Sequence, residues 1–304
     1  MSAFVSGQEL SRRFYLEAVR PILDSEFPGL AHSAALLGRG SEVLGFDDEM
    51  SGDHNWEPRV LLFLRKEDHA EYGDALRETL RQKVPPRFAD HQTDHSIHTL
   101  RSFFLEHLVF DIEGEIEARD WLTFPEQRLR MITAGAVYHD EVGLQEVRDR
   151  FAYYPQDLWY YLLIAGWWRV HPEFNLVGRA GYVGDELGSA LIGSQLVDGL
   201  MRLCFLIERE YAPYSKWFGT AFSRLPCGAE LTPLLRQVLH AENWQDRETA
   251  LMTAYEAISA RHNALEITPP VALDVEQMWD RPFKISWGDF PTALAAQIQD
   301  PVVK

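Results

Sequence analysis

Residues 38–64, GRGSEVLGFDDEMSGDHNWEPRVLLFL, decide the fold of this chain. The stretch begins with a glycine-rich turn, crosses an acidic loop and ends in the apolar run RVLLFL at residues 59–64. A short apolar run bounded by turn residues is typical of a buried strand. The run HSAALL at residues 32–37, just before the glycines, has the same character. The two runs therefore predict two buried strands, joined by the turn and the loop.

The turn and the loop carry residue types that suit phosphate and metal binding. Gly40 stands directly before Ser41, so the backbone can approach a phosphate closely and the hydroxyl can add a hydrogen bond. Asp53 and Asn55 lie two residues apart, and on an extended segment such side chains point to the same face. Two oxygen ligands on one face suit Mg²⁺. The alternative interpretation is an acidic surface loop whose charges are solvated.

Around this stretch the first part of the chain alternates between predicted helices and strands. Apolar residues recur at helical spacing over residues 8–27, and Pro28-Gly29 ends that pattern. Residues 67–83 predict a surface helix ended by Pro85-Pro86, and residues 96–100 predict a third strand. This alternation is typical of an α/β or α+β domain.

After about residue 113 the pattern becomes helical. The predicted helices cover residues 119–137, 155–170, 186–211, 232–239 and 244–265. Apolar residues lie on several faces of the helix at 186–211, as expected for the centre of a bundle. The sequence therefore predicts two domains, an α/β domain over residues 1–112 and a helical domain over residues 113–304.

Net charge restricts the partners. The chain has 29 Lys and Arg against 46 Asp and Glu, a net charge of −17. A nucleic acid or an anionic membrane is bound mainly by cationic side chains, so non-specific binding of either is not expected. A small anionic ligand is not excluded, since a pocket needs only a few Arg or Lys residues.

Cysteine usage and hydropathy favour a cytoplasmic protein. Two cysteines, Cys204 and Cys227, cannot form a disulfide framework, and Cys204 lies in an apolar run typical of a core. The N-terminal residues lack the apolar region of a signal peptide. The apolar stretch at residues 158–168 is shorter than the roughly 20 residues that a membrane span requires.

A Gly-Ser pair, a spacer and an Asp-x-Asp that enters a strand form the signature of the polymerase-β-like nucleotidyltransferase superfamily, which residues 40–55 resemble. Further blocks make the chain similar to an uncharacterised bacterial nucleotidyltransferase-like family, a domain of unknown function. These blocks are residues 40–56 (GSEVLGFDDEMSGDHNW), 154–159 (YPQDLW), 178–179 (GR), 184–189 (GDELGS), 208–217 (EREYAPYSKW), 262–265 (HNAL) and 280–283 (DRPF). The resemblance implies an α+β fold, a small nucleotidyltransferase-like mixed sheet with flanking helices followed by a C-terminal helical bundle.

The resemblance also implies roles for the residues of the signature. Gly40 and Ser41 would hold triphosphate oxygens, and Asp53 would be the first metal carboxylate. Position 55 should hold the second carboxylate, but here it is Asn55, whose amide oxygen brings no negative charge. A third carboxylate normally stands on a later strand, where the chain offers Ser96, Ile97, His98 and Thr99, with Asp94 as the nearest acid.

The three histidines at 91, 95 and 98 are a second candidate for metal binding. His95 and His98 would converge with Asp94 if the segment folded around an ion, and the alternative is that all three are solvated. If His98 lies on the third strand, it would instead face the nucleotide site.

The helical part supplies cations and a carboxylate. Arg179 and Lys216 lie in segments punctuated by Gly and Pro, and they are candidates for neutralising phosphates during transfer. In a chain this acidic, Arg39 and Arg209 would have to join them in a local positive site. Asp185 is expected to cap the long helix. Because relatives that modify small alcohols use a carboxylate of the helical part as general base, Glu186 is the candidate for that role.

Two hypotheses follow. The first is a Mg²⁺-dependent nucleotidyltransferase that moves a nucleoside monophosphate from a nucleoside triphosphate, with ATP expected, to a small-molecule or protein acceptor. The second is a catalytically inactive relative that binds a nucleotide, a small molecule or a partner. Asn55 favours the second, whereas Gly40, Ser41 and Asp53 favour the first.

Overall fold

A computed structural model describes residues 4–53, 56–286 and 288–304, and it describes only the backbone of Gly52 and Asp53. The chain divides into two compact units, residues 1–152 and residues 153–304. Each unit is described by itself. The helices of unit 1 are α1 (Gly7–Phe14), α2 (Arg20–Glu26), α3 (Ser41–Leu44), α4 (Lys66–Lys83), α5 (Leu100–Leu108), α6 (Ala118–Trp121), α7 (Glu126–Thr133) and α8 (Leu144–Asp149). A π-helical turn (Tyr15–Val19) joins α1 to α2, and a 3₁₀ turn (Glu49–Asp53) follows α3.

A four-stranded mixed sheet is the centre of unit 1. The strands of this unit are β1 (His32–Leu36), β2 (Arg59–Leu64), β3 (Arg87–Phe88), β4 (His91–Gln92), β5 (Asp94–Thr99) and β6 (Ala136–Asp140). The sheet has the order β5-β2-β1-β6, with β1 antiparallel to β2 and β6, and β2 parallel to β5. Every residue of β1 and β2 is buried, as expected for strands covered on both faces. The two short strands β3 and β4 pair with each other.

One face of the sheet carries the core of unit 1. Its alternate residues Ala34, Val60, Leu62 and Leu64 pack with Phe14, Tyr15 and Val19 from the N-terminal helical segment and with Leu76, Leu80 and Val84 from α4 and its end. The helix predicted over residues 8–27 is therefore confirmed, with a π turn in its middle. The strands predicted at residues 32–37, 59–64 and 96–100 and the helix at residues 67–83 are confirmed with small shifts of their ends.

Residues 119–137 differ from the single helix that the sequence predicted. Two helices, α6 and α7, are followed by strand β6, which pairs with β1. Gly135 separates α7 from β6 with a φ of +78°, and a Cβ there would overlap the carbonyl oxygen of Leu36. Only glycine tolerates both conditions, so helical periodicity stops at this residue. Since β6 belongs to the sheet, unit 1 extends to residue 152, beyond the predicted boundary at residues 112/113.

Unit 2 is a helical bundle with a small hairpin. Its helices are α9 (Gln156–Val170), α10 (Leu176–Tyr182), α11 (Glu186–Ile207), α12 (Ser215–Arg224), α13 (Gly228–His240), α14 (Trp244–Ala264) and α15 (Phe290–Ala295), and its strands β7 (Val275–Gln277) and β8 (Lys284–Ser286) pair antiparallel. Helix α11 packs against α9, α10, α13 and α14, which confirms its predicted central place. The predicted α+β fold, a mixed sheet with flanking helices followed by a helical bundle, is confirmed.

Helix α11 is long and apolar enough to cross a membrane by length and composition. Half of its most apolar part is buried inside the structure. The core helix of a soluble domain has the same properties. Cys204 on this helix is buried, as the sequence predicted, and so is Cys227.

Candidate functional site

The predicted phosphate turn is built from two glycines with positive φ. Gly38 has a φ of +90° and Gly40 a φ of +123°, conformations that side chains disfavour. A Cβ on Gly40 would also overlap the carboxylate of Glu42. The backbone N–H of Gly38 donates to the carbonyl of Met131 (2.9 Å), which ties the turn to α7. The turn runs from the end of β1 to the start of α3, with Gly38 buried and Arg39 exposed.

A buried ion pair between Arg59 and Glu42 contacts the backbone of the turn. Arg59, the first residue of β2, donates through Nη2 to Oε1 of Glu42 (3.0 Å) and to the carbonyl oxygen of Arg39 (2.5 Å). Glu42 is 1% exposed, and among the described residues no donor reaches its other oxygen, Oε2. Burial raises the pKa of Glu42 to about 7, although the charge of Arg59 acts in the opposite direction. The carboxyl group can therefore exchange a proton near neutral pH.

An open cleft of about 660 Å³ lies beside this turn, on the sheet face opposite the core of unit 1. Its lining includes Gly38 and three arginines, Arg39, Arg59 and Arg128. Arg39 and Arg128 are exposed, and within the described part of the chain neither forms an ion pair. Two guanidinium groups are thus available to an anionic ligand.

The polar face of β5 forms one wall of the cleft. Asp94, Ser96 and His98 alternate along the strand, so they share a face, and all three line the cleft. The ring Nε2 of His98 lies 2.9 Å from Oγ of Ser96, and burial lowers the pKa of His98. This face places Asp94, the nearest acid predicted from the sequence, in the cleft.

Helix α5 adds a second histidine to the cleft. His107 donates from Nδ1 to the carbonyl oxygen of Phe103 (2.9 Å), because a carbonyl can only accept. Its ring stacks on Phe103 at 4.1 Å, and burial lowers its pKa. Nε2 consequently carries a lone pair on the side of the ring nearest Gly38. His107 is a candidate proton acceptor or hydrogen-bond partner for a ligand.

The predicted Mg²⁺ ligands are only partly described. Asp53 is the last residue of the 3₁₀ turn, and Asn55 lies outside the described residues, as does the side chain of Asp53. The sequence argument assumed an extended backbone at Asp53, whereas the structure has a 3₁₀ turn there. The carboxylate of Asp48 stabilises this turn, because it accepts hydrogen bonds from the backbone N–H groups of Met50 and Ser51 (3.0 and 3.1 Å).

The histidine cluster predicted at residues 91, 95 and 98 does not converge. His95 and His98 are three residues apart on β5, so their side chains point to opposite faces, and only His98 lines the cleft. His91 packs edge-on against Trp56 at 5.0 Å. His98 lies on β5, as the alternative interpretation required, and that the cleft it lines is a nucleotide site stays a prediction.

The predicted cations of the helical part lie in unit 2. Arg179 is exposed on α10, and the Lys216 ammonium lies 4.8 Å from the ring of Trp217. Arg209 stacks over Trp159 at 4.6 Å and adopts a φ of +55°. This cation–π contact stabilises the position of the Arg209 side chain on Trp159.

Glu186 joins two helices of unit 2. It forms an ion pair with the buried Arg247 (3.1 Å) and accepts from the backbone N–H of Trp244 (3.2 Å), which ties α11 to α14. Asp185 accepts from the backbone N–H of Gly188 (2.7 Å), which confirms its predicted capping role. These contacts give Glu186 a packing role, and its role as a general base stays a prediction.

Three residues of the cleft were absent from the sequence-based candidates. Arg59 was overlooked because it is the first residue of an apolar strand. His107 and Arg128 reach the cleft through the packing of α5 and α7. Arg59 follows the acidic loop directly, and a charged residue at the start of a buried run was a usable signal. For His107 and Arg128 the sequence offers no such signal.

Comparison with known proteins gives two likenesses. Residues 121–218 match the family described as Domain of unknown function (DUF4037). Among solved structures the chain is similar to a nucleotidyltransferase-like protein from Exiguobacterium sibiricum 255-15, with 9% sequence identity and a TM-score of 0.33. The alignment covers 93% of this chain and 99% of the other. No curated protein matches the sequence.

Proposed function

We propose that the cleft of unit 1 binds a nucleoside triphosphate, with ATP as the first candidate. One observation carries this proposal: the cleft brings the glycine turn, two unpaired arginines and the polar face of β5 together in a chain of net charge −17. Backbone N–H groups of a glycine turn and guanidinium groups are the usual ligands of phosphate oxygens. The surrounding negative charge makes such a local positive site specific for small anions rather than for a polyanion.

The reaction that fits this site is nucleotidyl transfer. An acceptor hydroxyl or phosphate would attack the α-phosphorus of the nucleoside triphosphate in line. A bond would form between the acceptor oxygen and the α-phosphorus, the bond to the β-phosphate would break, and pyrophosphate would leave. Arg39 and Arg128 would stabilise the negative charge that develops on the leaving group. His107, with its free Nε2 lone pair, would accept the proton of the acceptor hydroxyl. Catalytic roles for Glu186 and Lys216, and nucleotide-binding roles for Arg179 and Arg209, remain part of the hypothesis.

The ion that we propose for this site is Mg²⁺. Asp94 is a carboxylate on the cleft wall, and Mg²⁺ takes oxygen ligands of this type. We assign Asp53, Asn55 and Asp94 as its ligands. When bound, the ion would neutralise charge on the phosphates. The acceptor would be a small molecule or a protein, and the protein would act in the cytoplasm.

Pyrophosphate release tests the enzymatic proposal. The wild-type chain is incubated with each of the four nucleoside triphosphates, Mg²⁺ and a panel of hydroxyl-bearing acceptors, with Asp53→Ala and Glu49→Gln in parallel. We expect release by the wild type and by Glu49→Gln, and a loss of at least about 100-fold in Asp53→Ala. Equal release by all three chains would contradict the assignment of Asp53.

A second candidate function is nucleotide binding without transfer. Two observations favour it: position 55 is an amide, and the strand that should supply the third carboxylate presents Ser96 and His98 on the cleft face next to a single acid. Nucleotide binding without pyrophosphate release for any acceptor would select this function over the transferase.

A further inference from the structure

A second group of possible ligands lies on the face of the sheet opposite the cleft. Strands β1 and β6 pair antiparallel with Ala34 opposite His139, so His32 stands opposite Glu141 and all three ionisable side chains lie on one face. One ring nitrogen of His32, one of His139 and one carboxylate oxygen of Glu141 lie within 4.8 Å of one another. The register of the ladder therefore assembles two imidazoles and a carboxylate.

Two irregularities of the backbone meet at this cluster. The ladder shifts register between Ala34 and Ala35, so Tyr138 is the extra residue of a β-bulge directly before His139. Over the same face, the N-terminal helix opens into its π turn at Tyr15. Bulges of both kinds interrupt regular hydrogen bonding and are enriched at functional sites, where they re-aim a side chain.

Hydrogen bonds hold His32 in one orientation. Its Nδ1 donates to the carbonyl oxygen of Leu30 (3.1 Å), since a carbonyl only accepts, and Nε2 accepts from the hydroxyl of Tyr15 (2.9 Å). A carbonyl partner on the second ring nitrogen is the outer contact that metal-bound histidines usually make. The rings of Tyr138 and His139 stack beside Tyr15 at 6.3 and 6.4 Å.

Charge and exposure at the cluster suit a cation from solution. A Glu141 oxygen accepts from the His32 backbone N–H (3.4 Å) and lies 3.3 Å from Nε2 of His139. The side chain of Glu141 is 51% exposed and that of His139 22%, so the outer edge of the cluster is open.

We propose that His32, His139 and Glu141 bind one zinc-type divalent cation at the β1–β6 edge of the sheet. Bonds of roughly 2 Å to each ligand place two ligand atoms at most about 4.2 Å apart, so small side-chain adjustments close the observed spacing. Binding through Nε2 of His32 replaces its hydrogen bond from Tyr15. Two histidines and one carboxylate leave a fourth position for water or for the Tyr15 oxygen. The site lies on the other face of the sheet from the cleft and is independent of the nucleotide proposal.

Calorimetric titration of the untagged chain with Zn²⁺ tests the site, with Mg²⁺ in excess and without nucleotide. We expect one Zn²⁺ per chain, and Co²⁺ should give the visible absorption of a low-coordinate nitrogen and oxygen site. His139→Ala and Glu141→Gln should each weaken Zn²⁺ binding by at least about tenfold. His240→Ala removes an exposed histidine of unit 2 and should leave the affinity unchanged.

Both ligand variants change partly exposed side chains, and their folding is checked by circular dichroism and by the melting temperature without metal. The proposal would be overturned by a wild type that binds no Zn²⁺. It would equally be overturned if folded His139→Ala and Glu141→Gln bound Zn²⁺ as tightly as the wild type, or if His240→Ala weakened binding as much as they do. Failure of this test leaves nucleotide binding in the cleft unaffected.

Discussion

At the residue scale, the pair of Glu42 and Arg59 connects the fold to the cleft. Both side chains are almost fully buried, and Arg59 holds the carbonyl of Arg39 in the glycine turn. A buried ion pair rarely stabilises a fold more than a well-packed apolar pair would. What the pair does under the turn is to fix the backbone of Arg39, whose carbonyl oxygen accepts from Arg59.

Glu42 should give the fold a characteristic pH dependence. Burial raises its pKa from an ordinary value of 4.5 to about 7, so the folded state binds the proton more tightly than the unfolded state does. The resulting stabilisation is complete below about pH 4.5 and is lost as the pH rises through 7. Between pH 5 and pH 8 we expect the wild type to lose on the order of 2 kcal/mol relative to Glu42→Gln.

Chemical denaturation at both pH values measures this difference. Glu49→Gln, an exposed residue of the acidic loop, is the matched control and should follow the wild type. A wild type and a Glu42→Gln variant with the same change in unfolding free energy between pH 5 and pH 8 would show that Glu42 titrates normally.

At the scale of elements, helix α10 of unit 2 packs against α14 through a glycine. A Cβ on Gly181 would overlap the side chain of Trp244, the first residue of α14. Gly219 on α12 is a helical glycine with nothing within 4 Å of the same position. The two glycines have the same helical propensity and differ in what surrounds them.

This difference predicts opposite effects of the same substitution. Gly181→Ala should destabilise unit 2 by about 1–3 kcal/mol, because the helices must move apart to admit the methyl group. Gly219→Ala should stabilise it by about 0.5–1 kcal/mol, because alanine favours the helix. Urea denaturation followed by far-ultraviolet circular dichroism measures both, and destabilisation by Gly219→Ala of the size expected for Gly181→Ala would refute this account of the glycines.

Elements that depend on local pattern were predictable from the sequence, and those that depend on pairing were not. The run RVLLFL gave β2 with its observed ends, and the spacing in residues 244–265 gave α14 within one residue. Strand β6 was missed because its residues, AVYHD, follow a helical segment and acquire strand geometry only by pairing with β1. The π turn and the β-bulge likewise arise from tertiary packing.

The candidate site was predictable to a similar degree. Arg39, Asp94 and His98 were named from residue type and order along the chain, and all three line the cleft. Gly40 and Ser41 are not among the described lining residues, and their phosphate-binding role stays a prediction. Arg128 and His107 reach the cleft only because α5 and α7 pack beside the turn, which no local pattern encodes. The end of unit 1 at residue 152 was not predictable either, because it depends on the pairing of β6 with β1.

At the scale of the whole molecule, the net charge of −17 sets the background against which the cleft acts. An acidic surface repels anions at long range, and salt screens that repulsion. Nucleotide affinity therefore depends on direct contacts inside the cleft rather than on general attraction. Arg39 and Arg128 are the described cations of the cleft that are not already engaged in an ion pair.

The most direct measurement of the central claim is calorimetric titration of the wild-type chain with Mg²⁺-ATP, followed by the other three nucleoside triphosphates. We expect one nucleotide per chain and a loss of at least about tenfold in affinity in Arg128→Ala, since a hydrogen bond to a charged group is worth about 1.5–3 kcal/mol. Arg236→Ala removes an exposed arginine of α13 and should bind as the wild type does. Absence of binding for all four nucleotides, with and without Mg²⁺, would contradict the account, as would an Arg128→Ala variant with wild-type affinity.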